Sequence, residues 1–323
     1  MAPWVSQGRG SASVGASIGC RVMAMRHRRL GVTVIALLIS TTAVSCSAPG
    51  DSDQGGDDSE VLRGLTALSS RHSRGKAVTY LDMARVRQLE EAGGERYSSV
   101  ATPATSLLTG FELGPWQEHL KPSQIDTAVD WGTAGHWEGR FDSAAITRAL
   151  KSNGYVQKEE DGRRYWRTEE STLALQVSDH EISYAAQRTD PMSVVHPEQG
   201  AALADKEEYR RAAECLGDVY RADFLPLKSA EPTRLSALGQ RAASAAKNTE
   251  ILCAVVKDEA TAERVATRLR SVVREKAPQY DGTKITVENG ERPYVRAVVP
   301  DKASQRPGRL LFDDVELWLA VND

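Results

Sequence analysis

ILCAVVKDEATAERVATRLRSVVREKAPQYDGTKITVENGERPYVRAVV, residues 251–299, is the stretch that decides the fold. Ile251 to Val256 is a short apolar run bounded by charge, the pattern of a buried strand. Asp258 then stands where a helix N-cap is needed, its carboxylate able to accept from the exposed amides of the first turn. Ala262, Val265, Ala266, Leu269, Val272 and Val273 recur at three- and four-residue steps, which puts them on one helical face. Pro278 ends the helix at Ala277. Lys284 to Glu288 and Arg292 to Val299 read as strands joined at Asn289-Gly290, a pair that accepts the backbone of a tight hairpin turn.

The same order occurs earlier in the chain. His136 to Phe141 reads as a strand, Asp142 as an N-cap, and Ile146, Ala149 and Leu150 as the inward face of a helix that ends at Asn153-Gly154. Tyr155 to Glu160 and Arg163 to Thr168 flank a second hairpin signal, Asp161-Gly162. Ala77 to Leu81 and Asp218 to Phe224 are strand candidates ahead of the two units. Thr172 to Val177, Glu181 to Gln187 and Leu310 to Val321 are strand candidates after them, the last because Val315, Leu317, Leu319 and Val321 alternate. The region 105–131 reads as helical. The pattern predicts an α+β protein of two related halves, 61–200 and 201–323, each an antiparallel sheet with helices packed on one face. The alternative is chance recurrence of a common unit.

The N-terminus addresses location. Arg26-His27-Arg28-Arg29 precedes an apolar run, Leu30 to Ser40, then small residues and Cys46. This order resembles a bacterial lipoprotein signal, with 1–45 as N-terminal extension and signal peptide and Cys46 as the lipidated first residue of the mature chain, palmitate being an expected acyl group. Ala43 stands where that signal usually has Leu, Val or Ile. Ala43 and Ser45 also suit ordinary signal-peptide cleavage, and a retained helix is the third reading, although Leu30 to Val44 is shorter than the ~20 residues that span a bilayer. Met23 and Met25, immediately ahead of the basic run, are candidate translation starts alongside Met1.

Residues 1–45 hold five arginines and no acid, so the chain from Cys46 carries 36 basic against 44 acidic residues, a formal net charge of −8. Five of those acids, Asp51, Asp53, Asp57, Asp58 and Glu60, crowd into 46–60, which has almost nothing apolar to bury and reads as an acidic flexible tether. The remainder is nearly balanced, with no basic excess to suggest nucleic acid. Cys215 and Cys253 are the only cysteines beyond Cys46. In an exported chain such a pair reads as a disulfide, two buried thiols being the alternative.

The segments Tyr80 to Leu89 (YLDMARVRQL), Arg140 to Leu150 (RFDSAAITRAL) and Asp205 to Phe224 (DKEEYRRAAECLGDVYRADF), together with the lipoprotein-type signal, resemble uncharacterised cell-envelope lipoproteins of actinobacteria. The resemblance implies an extracytoplasmic, membrane-anchored location and a rough architecture. It supplies no catalytic residues.

Motifs that carry chemistry do not assemble in the sequence. There is no nucleophile elbow, no phosphate-binding loop and no histidine spacing for a metal, so no catalytic residue, metal or cofactor is assigned. The acid pairs Glu159-Glu160, Glu169-Glu170 and Asp313-Asp314 read as solvated surface. Trp131 and Trp137, flanking Gly132-Thr133-Ala134-Gly135, are the candidate binding residues; packing in the core is the competing role, Trp137 being expected in the core and Trp131 the more exposed. The function expected is a non-enzymatic ligand- or protein-binding component of the cell envelope, with the membrane and an envelope protein or small ligand as partners. The alternative is an envelope enzyme with a non-standard active site.

Overall fold

The structure is a computed structural model that describes residues 59–103, 106–109, 114–227 and 232–322. The signal peptide, Cys46 and nearly all of the expected tether lie outside the described residues. In chain order the elements are α1 (Glu60–Leu65), β1 (Val78–Asp82), α2 (Met83–Gly93), α3 (Ser106–Thr109), β2 (Ile125–Asp130), β3 (Ala134–Gly139), α4 (Ser143–Ser152), β4 (Val156–Glu160), β5 (Arg163–Arg167), β6 (Leu173–Val177) and β7 (Glu181–Ala186). Then follow α5 (Glu207–Leu216), β8 (Arg221–Pro226), β9 (Thr233–Ser244), β10 (Lys247–Val256), α6 (Glu259–Glu275), β11 (Lys284–Glu288), β12 (Tyr294–Pro300), α7 (Arg309–Phe312) and α8 (Glu316–Asn322). Short stretches of 3-10 helix at Gly94–Val100, Pro122–Gln124 and Pro191–Val194 complete the set.

The fold is α+β, built on a 12-stranded antiparallel sheet in the order β11-β12-β10-β9-β8-β1-β2-β3-β7-β6-β5-β4. The strands before residue 200 and those after it join in this one sheet through the antiparallel pair β1–β8, with Val78 opposite Phe224 and Leu81 opposite Arg221. The sequence pattern had placed helices on one face; here they cover both. The reason lies in the strands, whose apolar residues alternate between two buried sides. On one side, Val78, Tyr80, Val129, Phe224, Ala237 and Cys253 pack under α1 and α5. On the other, Leu81, Ile125, Trp137 and Ile182 pack under α2 and α4, and Leu252, Ala254, Val256 and Val299 pack under α6 and α8.

Local chemistry explains the element ends. The carboxylates of Asp142 and Asp258 accept from Ala145 N at 2.8 Å and Thr261 N at 2.7 Å, the caps expected for α4 and α6. Asp161 (φ 51°) and Gly162 (φ 74°) both take the left-handed backbone that the β4–β5 turn requires. Cys215 on α5 is bonded to Cys253 on β10, so the helix is tied covalently to the sheet.

Two segments differ from the sequence reading. Residues 125–130 form strand β2, not helix. Leu310 to Val321 holds two short helices, α7 and α8, not a strand. Leu317, Ala320 and Val321 are buried while Leu319 is 46% exposed, the spacing of a helix face. What fixes this segment is polar: the Glu250 carboxylate, itself fully buried, accepts from Gly308 N (2.9 Å), Arg309 N (2.8 Å) and Leu310 N (3.0 Å). Tyr280 Oη and Lys276 Nζ donate to Glu316 at the start of α8.

Among the described residues no helix is long and apolar enough to cross a membrane.

Candidate ligand cleft

A row of side chains crosses the sheet on the α1 face: Tyr80 on β1, Val129 on β2, His136 on β3, Ser183 on β7 and Gln176 on β6, each opposite the next. Beside this row α1 approaches the sheet closely at Gly64, and a cleft opens between them. It has a volume of about 430 Å³, its open mouth included. Tyr80, Val129 and His136 line the floor, Arg63 and Gly64 of α1 and Ala67 just beyond it the opposite wall, with Thr127 and Glu138 at the rim. α1 is held there by its cap, Leu62 N donating to Ser59 Oγ at 3.2 Å, and by the buried side chains Val61, Leu62 and Leu65.

The cleft is polar but nearly neutral. Arg63 is paired with Glu60, and Thr127 Oγ1 donates to Glu138 Oε2 at 3.0 Å. His136 Nδ1 lies 2.8 Å from Ser183 Oγ. Burial lowers the His136 imidazole below its usual pKa, although the Glu181 and Glu138 carboxylates pull it upward, so it is uncharged at neutral pH. His196 stands behind it, the ring centroids 6.1 Å apart, with Nε2 at 2.7 Å from Gln176 Oε1. Burial first, then His136 and Arg163, lower its pKa to about 4. The uncharged His136 imidazole and the Tyr80 and Thr127 hydroxyls line the cleft and offer hydrogen-bonding groups to a small polar ligand. Ser183 is 2% exposed, which leaves no room for an electrophile to reach its hydroxyl. Among the described residues no group of three or more His, Cys, Asp or Glu is placed to hold a metal ion.

The residues singled out in the sequence do not converge on this cleft. Trp131 and Trp137 point to opposite faces. Trp137 is fully buried and meets Tyr184 edge-on at 5.4 Å. Trp131 is 7% exposed, in the same buried core as Tyr80 and Val129, with Lys76 Nζ 4.7 Å above its ring. Its expected exposure fails because it follows a strand and not a helix, and the alternation of β2 carries it to the covered side. His136 and Tyr80 were missed. The signal was present at His136, which alternates with the apolar Trp137 and so had to face the other side of the sheet.

A second polar group is buried on the opposite face. Asp130, 1% exposed, lies opposite Thr79, and Thr79 Oγ1 donates to Asp223 Oδ1 at 2.9 Å. Arg221 grips Asp223 with Nε at 2.8 Å and Nη2 at 2.9 Å. Burial raises the Asp130 carboxyl to a pKa of about 7, more than the Gly132 amide, the Trp137 indole and Arg221 lower it.

No family model matches the chain, and no curated protein matches it. Among solved structures, one titled "Structure of crystal form I of TP0453" is similar to it with a TM-score of 0.41 and 12% sequence identity, over 74% of this chain and 93% of that one.

Proposed function

We propose that the protein is a lipoprotein of the cell envelope, anchored through acyl chains on Cys46 to the outer face of the cytoplasmic membrane, and that it binds a small polar ligand or the side chain of a partner protein in the α1 cleft. The signal-like order ahead of Cys46 supports the anchor, and a disulfide between Cys215 and Cys253 is consistent with an oxidising, extracytoplasmic compartment. The resemblance to actinobacterial envelope lipoproteins supports the same reading.

The observation that carries the binding function is the position of the cleft. It is walled by the first described helix, whose cap Ser59 and first residue Glu60 are the last two residues of the expected tether 46–60 and belong instead to the folded part. Residues 47–58 reach at most about 40 Å when fully extended. On the proposed anchoring, that reach is an upper bound on the span between Cys46 and α1, so an envelope partner or solute at the membrane is within range of the folded part. The Ser183–His136 contact favours the second reading, an envelope hydrolase, but the burial of Ser183 weighs against it.

The test is photo-crosslinking in intact cells from Thr66 or Glu138 at the cleft and from Arg270 on α6. An adduct formed from the cleft positions and absent from position 270 supports the proposal. Equal adducts from all three, or none from the cleft, contradict it.

A further inference from the structure

β11 ends the sheet, and its sequence, Lys284-Ile285-Thr286-Val287-Glu288, is complementary to itself when read in the opposite direction. We infer that β11 is a self-association edge, pairing antiparallel with β11 of a second copy about a two-fold axis at Thr286. That register sets Lys284 opposite the partner copy's Glu288, Ile285 opposite its Val287 and Thr286 opposite itself, with each unlike pair occurring twice by symmetry.

Three features support this occupant. Lys284, Thr286 and Glu288 are exposed, and among the described residues neither Lys284 nor Glu288 has an ion-pair partner, so both charges are free for a cross-strand pair. Ile285 and Val287 lie half-buried against the α6 core, so apolar contact across the dyad would extend a hydrophobic layer that already exists. The edge also lacks two of the usual protections, a bulge and a proline. Its register on β12 runs from Lys284–Val298 to Glu288–Tyr294 with neither a bulge nor a proline. The other edge differs. β4 reads Val156-Gln157-Lys158-Glu159-Glu160, and self-pairing about its centre would set lysine against lysine. Pairing with a second copy about Thr286 is the arrangement in which the strand's own two charges and two apolar residues complement one another.

Each cross-strand pair is individually weak, so the dimer is a concentration-dependent one. On the anchoring proposed above, confinement to a membrane raises the effective concentration and favours it.

The test uses the full-length protein in its native membrane. Facing Cα atoms of an antiparallel pair lie about 4.5–5.5 Å apart, within disulfide reach, so Thr286→Cys should cross-link to itself under mild oxidation. Lys158→Cys on β4 is the collision control and should stay monomeric. Adding Glu288→Lys to Thr286→Cys sets lysine against lysine and should lower the cross-linked fraction about tenfold. Adding Lys284→Glu as well exchanges the two charges and should restore it. All these side chains are exposed, and unchanged melting temperatures establish that the fold is intact. Absence of the 286–286 cross-link, or a cross-link indifferent to the charge reversals, overturns the inference. Such failure leaves the cleft and the anchor untouched, since neither uses β11.

Discussion

Gly64 stands over the ring of Tyr80: a Cβ at position 64 would lie 2.8 Å from Tyr80 Cδ2 and 3.2 Å from Cε2. Because the glycine has no side chain, α1 settles onto the sheet at the depth that forms the cleft. In an ordinary helix Gly→Ala stabilises by about 1 kcal/mol. Here the buried Tyr80 ring or the helix must move, and overpacking of that kind costs about 1–3 kcal/mol. Gly64→Ala should therefore lower the denaturant midpoint. A raised midpoint would show that α1 is not seated on Tyr80.

Asp130 sets a pH dependence. Its folded pKa, about 7, lies above the ~3.9 of an unfolded aspartate. The folded state thus holds the proton more tightly, and the contribution to stability is complete below about pH 4 and is lost as pH rises through about 7. The loss is at most about 1.4 kcal/mol for each pH unit in that window. Asp130→Asn, which cannot ionise, should melt above the parent at pH 8, with the difference narrowing steadily below pH 7 and closing only near pH 4. Identical melting curves at both pH values would mean that Asp130 is not buried as a titrating group.

Glu250 should matter more to the C-terminus than to the rest of the molecule. Glu250→Ala leaves three buried amides, those of Gly308, Arg309 and Leu310, without their acceptor, and each such loss costs about 1–3 kcal/mol. Hydrogen exchange at these amides and along α7 and α8 should rise ahead of exchange in β9 and β10. Uniform exchange across the molecule would contradict the anchoring role.

The two tryptophans now carry one expectation. With Trp137 fully buried and Trp131 at 7% exposure, replacement of either by Ala should cost about 3–5 kcal/mol. A melting temperature for Trp131→Ala equal to the parent's would return Trp131 to the surface.

What was legible in the sequence was whatever one local rule could specify. α6 carries a long apolar stripe after an aspartate cap, and the β4–β5 turn has the Asx-Gly pair its backbone needs. What was hidden depends on distant partners. β2 ends in Asp130, an acid that sits buried among Thr79, Trp137 and Arg221, which distant parts of the chain bring to it. β9 (TRLSALGQRAAS) is poor in strand-favouring residues because α5 lies close to it; a Cβ at Gly239 would meet Leu216 Cδ2 at 2.8 Å. Over 315–321, Val315, Leu317, Leu319 and Val321 alternate as in a strand, yet buried Ala320 and the grip of Tyr280 and Lys276 on Glu316 decide for helix α8. The cleft itself joins α1 to β3 across some seventy residues, and no local pattern announces that meeting.

The disulfide joins residues 38 apart in sequence, and on chain entropy alone its closure stabilises the fold by roughly 4 kcal/mol. Cys215→Ser with Cys253→Ser should lower stability by an amount of that order and leave the sheet intact by circular dichroism. A change below about 1 kcal/mol would place the stability of α5 in its packing alone.

Mass spectrometry of the N-terminal peptide, taken from protein isolated from its own membrane, tests the central proposal most directly. The predicted result is a peptide that begins at Cys46 and carries the mass of a diacylglyceryl group with or without an added acyl chain, absent in Cys46→Ser. An unmodified N-terminus at or after Cys46, or a peptide running intact through Ala43-Val44-Ser45-Cys46, would contradict it.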